Sequence, residues 1–248
     1  MFSSFRPTPF LKRLRQKLRH WRSVWLARRK VRAIPGGGAI AAPDYRDYLV
    51  VQIAKSQLQA NPAGETQPRT RHLVGLLARH LPAATGRAAA ATRVLCVGCR
   101  DVRELDEIER QTGGAALGVD LFSDDPRIVV GDFHQLPFPD AAFDVLYSCH
   151  SLEHAYDLGR ALGEFTRVLR PGGLWAIEVP TAFELGATDR QDVGSAAGLL
   201  ERLRPDVAEV LWLEDAVRAD GRRRDARLIA RKLEIAGSPA LAVEAQPC

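Results

Sequence analysis

Acidic residues are missing from the first 43 positions of this chain. Eleven Lys and Arg residues and no Asp or Glu lie there, which leaves 24 basic against 30 acidic residues in the rest. The net charge of +5 therefore combines a strongly basic N-terminal arm with a body of about −6. Such an arm is typical of contact with an acidic partner, such as a membrane surface or a nucleic acid.

Long apolar runs and a disulfide framework are absent as well. No run reaches the roughly 18 apolar residues that a membrane-spanning helix needs. The four cysteines, Cys96, Cys99, Cys149 and Cys248, lack the spacing of a disulfide scaffold. We therefore expect a reducing, cytoplasmic location with peripheral membrane contact. An Arg-rich, acid-free N-terminus also resembles a mitochondrial transit peptide, so the compartment stays partly open.

The basic arm has the pattern of an amphipathic helix. Its apolar residues share one helical stripe and most other positions are Arg or Lys. The stripe comprises Phe10, Leu14, Leu18, Trp21, Trp25 and, less regularly, Val31. Two interpretations are open: residues 1–32 lie on an anionic membrane surface, or the stripe packs on the domain. Contact with nucleic acid is less favoured because the body is acidic.

Composition divides the chain into four segments. Residues 1–43 form the arm and a linker, IPGGGAIAAP at 34–43, whose glycines and prolines indicate flexibility. Residues 44–91 form a helical segment that caps the core, with helices predicted over Tyr45–Leu58 and Arg69–Leu81. Residues 92–237 form the main domain and residues 238–248 a tail.

A strand, a tight turn, a helix and a second strand are predicted within Arg93–Asp120. Gly98 follows the first strand, where the backbone must turn sharply. Asp101 begins the helix as its N-cap, and Glu104 stands three positions later as a capping-box partner. Asp120 lies 22 positions after Gly98, close to the offset of about 20 at which a nucleotide-binding βαβ unit places its ribose-binding acid.

The alternation of strands and helices continues to the end of the domain and predicts a doubly wound parallel sheet. The elements are strands over Ile128–Val130, Phe143–Ser148 and Leu174–Val179, a helix over Leu158–Leu169 and a turn at Pro171–Gly173. Two last strands, Ala208–Leu213 and Arg227–Ile235, flank a charged turn and predict an antiparallel hairpin.

Four runs, in order, resemble the class I S-adenosylmethionine-dependent methyltransferases. They are VLCVGCRD, GVD, GDFHQLPFPDAAFDVLYSCHSLEH and EFTRVLRPGGLWAIEVP, within about Arg93–Pro180. The resemblance is to the methyltransferase-11-like branch, which acts largely on small molecules, lipids and sugars. It implies an α/β Rossmann-like fold with a mostly parallel seven-stranded sheet and a C-terminal antiparallel hairpin. It also implies S-adenosyl-L-methionine as cofactor and methyl transfer to a small-molecule, sugar or lipid-linked acceptor, with oxygen the expected atom.

The resemblance further implies a set of cofactor-binding residues. Gly98 would admit the methionine end, Asp120 would bind the ribose, Asp132 would accept from the adenine amino group, and Phe133 would contact the adenine ring. The remaining members of the set are Cys99, Arg100, Leu121, Ser148 and Cys149. Of these, Ser148 and Cys149 would line the sulfonium together with His150.

The first turn departs from the family pattern. Cys96 stands where the family usually has an acid at the end of the first strand, and Arg100 and Val102 stand where further glycines are common. Glu104 or Asp101 are candidates to replace the missing carboxylate toward the methionine ammonium. Arg100 is a candidate partner for the methionine carboxylate.

His150 and His154, just after the fourth strand, are the candidate catalytic residues. A neutral imidazole suits removal of an acceptor proton near pH 7, and His150 is favoured because it is closer to the strand end. The alternatives are Glu153 as base, catalysis by positioning without a base, and histidines that only satisfy a helix start. Cys96 and Cys99 lack a second ligand pair at metal spacing, so no metal site is predicted.

Two other functions remain open at this stage. One is an RNA methyltransferase whose basic arm binds phosphates, although the fourth strand lacks the Asn-Pro-Pro-Tyr type of motif. The other is a binding module that retains the fold without catalysis.

Overall fold

The computed structural model describes residues 22–32, 34, 39–59, 64–85, 89–99, 101–217, 221 and 224–234. Its helices are α1 (residues 22–31), α2 (Tyr45–Gln59), α3 (Pro68–Thr85), α4 (Val102–Thr112), α5 (Leu158–Val168) and α6 (Ala196–Leu203). Its strands are β1 (Arg93–Val97), β2 (Ala115–Asp120), β3 (Ile128–Val130), β4 (Phe143–Cys149), β5 (Leu169–Thr181), β6 (Val207–Val217) and β7 (Arg224–Lys232).

The seven strands form one sheet in the order β3-β2-β1-β4-β5-β7-β6. All neighbouring pairs are parallel except those of β7, which runs antiparallel to both β5 and β6. The predicted fold class is thereby confirmed. The strand order reverses between β1 and β4, and in such sheets the carboxyl ends of the strands at this point open a crevice for ligands.

Helices cover both faces of the sheet. Along β1, Val94 and Cys96 pack against the layer formed by α3 and α4, whereas Leu95 and Val97 face the layer formed by α5 and α6. This alternation follows from the two-residue period of a strand. A strand buried on both faces needs apolar side chains on both, which explains the unbroken apolar run in the sequence.

The start of α4 is the one that the sequence predicts. Asp101 caps the helix by accepting from the Arg103 N–H at 3.0 Å, and Gly113 ends it with a left-handed φ of +71°. The expected capping-box role of Glu104 is wrong. Its carboxylate instead turns inward and accepts from the Thr70 hydroxyl at 3.1 Å, because α3 lies against this side of α4.

Several element boundaries differ from the prediction, two of them near prolines. The turn at Pro171–Gly173 lies inside β5, where the pairing with β4 shifts register and Gly172 has a φ of +67°. Helix α3 continues past Pro82 to Thr85 instead of ending at Leu81. Pro82 removes one backbone donor near the helix end, a loss that the following alanines, strong helix formers, tolerate.

Helices α1 and α2 pack on the domain through an apolar cluster of their own, separate from the two layers that cover the sheet. Ala27 and Val31 of α1 are buried against α2, and the cluster continues to Leu121 and Phe122 after β2. Trp25, expected on the apolar stripe, is 56% exposed, because the packed face is centred on Ala27. The other stripe positions, at 10, 14, 18 and 21, lie outside the described residues. No helix among those described has the length and apolar character needed to cross a membrane.

Candidate active site

Two cavities meet at the carboxyl ends of β1 and β4. The β2-side cavity, of about 580 Å³, lies under α2 and is lined by residues that include Tyr48, Asp120, Leu121, Phe133 and His154. The α3-side cavity, of about 640 Å³, is lined by residues that include Arg69, Cys99, Asp101, Glu104 and Cys149. Gly98 and His150 belong to both walls.

Gly98 makes the turn between the two cavities. Its φ of +74° is a conformation that other residues rarely adopt, and a Cβ at this position would lie 2.4 Å from Cβ of Ser151. Its N–H donates to the Val119 carbonyl at 2.8 Å, which fixes the turn against β2. The missing side chain therefore lets the loop after β4 approach β1 and leaves backbone facing both cavities.

Asp120 ends β2 at the wall of the β2-side cavity. Its Oδ1 accepts from the Phe122 N–H at 3.3 Å, which orients the carboxylate next to Leu121. Phe133 lines the same cavity and presents an apolar ring. A strand-end carboxylate beside apolar surface suits a ribose and its attached base.

Asp132 is buried instead of facing a cavity. Its Oδ1 accepts from the His134 N–H at 3.0 Å and lies 2.8 Å from His134 Nδ1, while its Oδ2 accepts from the Tyr45 hydroxyl. His134 Nε2 accepts from the Tyr156 N–H at 3.1 Å, so Nδ1 carries the ring proton. With both oxygens bonded and only 1% of the residue exposed, Asp132 holds α2 in place and does not suit the adenine contact expected of it.

Tyr45 and His134 are residues of this site that sequence reasoning missed. Burial and the neighbouring Asp132 raise the pKa of Tyr45, so its hydroxyl stays a neutral donor. The available signal was local, since an Asp side chain often accepts from the N–H two residues later, as Asp132 does here. Tyr45 gave no such signal because its partner lies 87 positions away.

The residues that end β4 differ in their exposure to the cavities. Ser148 is fully buried, and its Oγ lies 2.5 Å from Oγ of Ser151, which tethers the following loop instead of facing a ligand. Cys149 lines the α3-side cavity, and burial raises the pKa of its thiol. Arg100, also expected near the cofactor, lies outside the described residues.

His150 is held between carboxylates. It has a left-handed φ of +56°, and its Nε2 lies 3.1 Å from Glu178 Oε1 and 3.3 Å from Asp225 Oδ1. Burial lowers the pKa of His150, but the hydrogen bonds to Asp225 and Glu178 outweigh it, so the net pKa is raised. A histidine that favours its protonated form is a poor proton acceptor near neutral pH.

The pKa of His154 is shifted in the opposite direction to that of His150. Burial lowers its pKa, and its Nδ1 lies 3.0 Å from both the Thr188 carbonyl and Asp189 Oδ1. Two acceptors at Nδ1 place the ring proton there and leave Nε2 as the basic nitrogen. Both histidines line the β2-side cavity, so it is the lowered pKa of His154, against the raised pKa of His150, that favours His154 as the base.

Glu178, one of the carboxylates around His150, also binds Arg227. The guanidinium donates through Nε to Glu178 Oε2 at 2.5 Å and through a terminal nitrogen to Glu214 at 3.2 Å. Among the described residues, His150, Glu178 and Asp225 form the one group with metal-binding donors within 4.8 Å of one another. Arg227 already supplies positive charge to Glu178, so the group is an ion-pair network.

Comparison with known proteins identifies the domain. Residues 84–177 match the family described as methyltransferase domain. The fold of the chain is similar to that of 1,6-didemethyltoxoflavin-N1-methyltransferase from Burkholderia thailandensis, solved with S-adenosylhomocysteine, at a TM-score of 0.60 and 22% identity over 79% of this chain and 92% of that one. Residues 84–177 belong to the class I S-adenosylmethionine-dependent methyltransferases. The family's cofactor is S-adenosyl-L-methionine, as the resemblance implied.

Curated relatives of this methyltransferase domain act on different atoms. A sterol 24-C-methyltransferase of Gibberella zeae is 33% identical over 101 residues, which cover 34% of this chain and 27% of that one. The 27-O-demethylrifamycin SV methyltransferase of Amycolatopsis mediterranei is 31% identical over 129 residues, 41% of this chain and 47% of that one. The chain thus spans about a quarter to half of these relatives. Their names give carbon as well as oxygen, so the expectation of oxygen is not supported.

The fold also occurs outside methyl transfer. The [4+2]-cyclase SpnF is similar to this chain at a TM-score of 0.53 and 22% identity, over 71% of this chain and 85% of that one. Similarity of fold alone therefore does not establish the reaction, which has to be inferred from the residues of the site.

The residues that line the crevice fit S-adenosylmethionine in their chemistry. The β2-side cavity offers a carboxylate and an apolar ring, as an adenosine requires. The α3-side cavity offers charged groups of both signs, as an amino acid requires. Arg69 at its wall has a buried Nε with no hydrogen-bond partner among the described residues, a group that a bound ligand would satisfy.

Proposed function

We propose that this chain transfers a methyl group from S-adenosylmethionine to a small-molecule acceptor of lipid or natural-product type. The convergence of Gly98, Asp120, Phe133 and His154 on the β2-side cavity, at the switch point of the sheet, carries the proposal. When bound, the cofactor supplies a methyl group on a positively charged sulfur. The protein then has to orient the acceptor and exclude water.

Five residues of the cavity have a role in this proposal. Asp120 accepts hydrogen bonds from the ribose hydroxyls, while Leu121 and Phe133 contact the adenine. Gly98 presents backbone to the cofactor between the two cavities. His154, with Nε2 unprotonated, takes a proton from the acceptor as the new bond forms.

The acceptor class follows from the relatives. The sterol and rifamycin acceptors in their names favour an apolar small molecule over a glycan-linked one. Among the described residues, none that lines the crevice selects carbon or oxygen, because a neutral imidazole can take a proton from either kind of acceptor.

The exposed face of α1 favours a membrane surface as an additional partner. Arg22, Trp25, Arg28, Arg29 and Arg32 are exposed on this helix. Arginines around an exposed tryptophan match the polar and interfacial residues of a helix that lies on anionic lipid. Such contact would bring the protein to a lipid acceptor.

Calorimetry with S-adenosylhomocysteine tests the proposal first. Binding is expected for the full chain, followed by transfer of a labelled methyl group from the cofactor to a compound in a lipid or natural-product panel. Absence of cofactor binding would support the non-catalytic module instead. Binding of cofactor with transfer to RNA alone would support the RNA methyltransferase.

A further inference from the structure

The wall of the α3-side cavity contains the carboxylate of Glu104, a helix residue that reaches a side chain of β1. Glu104 projects from the first turn of α4, and its Oε2 lies 3.6 Å from Sγ of Cys96, the residue in β1 that stands where a strand-end acid is usual. Its Oε1 accepts from the Thr70 hydroxyl at 3.1 Å. These two neutral partners fix the carboxylate at the cavity wall without neutralising its charge.

A guanidinium faces the same cavity. Arg69, at the start of α3, lies close enough to Glu104 to lower the pKa of that carboxyl, and its buried Nε has no hydrogen-bond partner among the described residues. A buried donor without a partner is costly, so the position is suited to an anionic ligand group.

The other acids of this cavity are held by arginines. Asp101 binds Arg103 at 2.5 Å and caps α4, and Glu65 lies 3.6 Å from Arg71. Glu104 is therefore the cavity carboxylate whose hydrogen-bonding partners are neutral, within the described part of the chain.

We propose that Glu104 and Arg69 bind the two charged groups of an amino-acid ligand end, Glu104 the α-ammonium and Arg69 the α-carboxylate. Resting on the proposed function, this assigns the methionine end of S-adenosylmethionine to the α3-side cavity. Helices α3 and α4 then supply the contacts to the methionine end, in place of an acid at the end of β1. Arg69 and Thr70 precede residues 84–177, so this half of the site lies outside the matched family region.

The site makes cofactor affinity dependent on pH. Burial raises the pKa of Glu104 to about 7. The charged and titratable groups around it are Arg69, Cys96, Cys99, Asp101, Arg103, Tyr147 and Cys149. Because only the ionised carboxylate binds an ammonium, affinity for S-adenosylhomocysteine rises as pH increases from about 6 to about 8. Affinity for a ligand that lacks the amino acid does not rise over this pH range.

Calorimetry with two ligands tests this assignment. S-adenosylhomocysteine carries the amino acid, whereas 5′-methylthioadenosine shares its adenosine and sulfur but lacks the charged end. Glu104→Gln and Arg69→Gln are each expected to weaken S-adenosylhomocysteine binding by roughly 10- to 100-fold and to leave 5′-methylthioadenosine within about twofold. The controls are Asp106→Asn on α4 and Arg79→Gln on α3, both exposed, which should change neither affinity.

The outcomes separate this inference from the proposed function. Wild-type protein that binds neither ligand overturns the proposed function. Variants that weaken both ligands equally, or neither, overturn the assignment of Glu104 and Arg69. The pH series on wild-type protein needs no variant, and equal pH dependence of the two ligands would also overturn it.

Discussion

Tyr45 donates its hydroxyl proton to Asp132 and thereby binds the start of α2 to the loop after β3. The same helix covers the β2-side cavity through Tyr48 and Gln52. Tyr48 adds a second tether by donating to the His154 carbonyl at 2.6 Å. The wall of the cofactor crevice that lies outside the sheet is thus held by buried hydrogen bonds from aromatic residues.

Loss of the Tyr45 hydroxyl should destabilise the protein. Tyr45→Phe leaves one oxygen of the buried Asp132 without its donor, which costs about 1–3 kcal/mol. Urea unfolding measures the change. Tyr156→Phe is the matched control, because its hydroxyl binds the exposed Asp44 and its loss should have little effect. Equal stability of Tyr45→Phe and wild type would contradict a structural role for this bond.

Asp120 should contribute strongly to cofactor binding. Asp120→Ala removes a charged acceptor from the ribose hydroxyls and should weaken S-adenosylhomocysteine binding by about 1.5–3 kcal/mol, measured by calorimetry. Asp124→Ala, in the same loop but with a side chain 87% exposed, should leave affinity unchanged. If the two variants bind equally well, the ribose assignment fails.

The two histidines should titrate on opposite sides of the ordinary value near 6.5. The raised pKa of His150 means that its contribution to folding is present below that value and is lost as pH rises through the folded pKa. The lowered pKa of His154 gives a contribution that is present above that value and is lost as pH falls through the folded pKa. NMR titration of the imidazole protons, assigned with His150→Gln and His154→Gln, measures both.

The difference in pKa between His150 and His154 predicts that replacing each histidine has a different effect on the protein. His154→Ala should lower turnover by about 10²- to 10⁴-fold with cofactor affinity nearly unchanged, because a base acts in the transition state. His150→Ala removes the imidazole that Glu178 and Asp225 share and should lower stability. Normal turnover in His154→Ala would leave Glu153 or positioning without a base as the explanation.

The exposed arginines of α1 should carry membrane binding. Changing Arg22, Arg28, Arg29 and Arg32 to Gln removes charges worth about 1 kcal/mol each near an anionic surface, so sedimentation with phosphatidylserine vesicles should be lost. This variant is preferable to truncation, because Ala27 and Val31 of α1 are buried in the domain. The control changes Arg71, Arg79, Arg202 and Arg204, exposed elsewhere, to Gln. Equal sedimentation of the two variants would assign α1 another role.

The sequence determined the elements and their order, because the signals for these are local. The apolar run of β1, the cap at Asp101 and the left-handed Gly113 follow from neighbours a few positions apart. Strand and helix alternation then permits few sheet topologies, and the doubly wound one was found. Asp120 reached the crevice because strand ends meet at one edge of the sheet.

Tertiary structure alone decided how the side chains of the crevice pair. Glu104 was expected to cap its own helix, but Thr70 of α3 and Cys96 of β1 surround it. His150 and His154 are four positions apart and chemically identical in the sequence. Carboxylates from β5 and β7 raise the pKa of one, and burial lowers that of the other. Charges and burial brought from distant segments set these properties, and no local pattern encodes them.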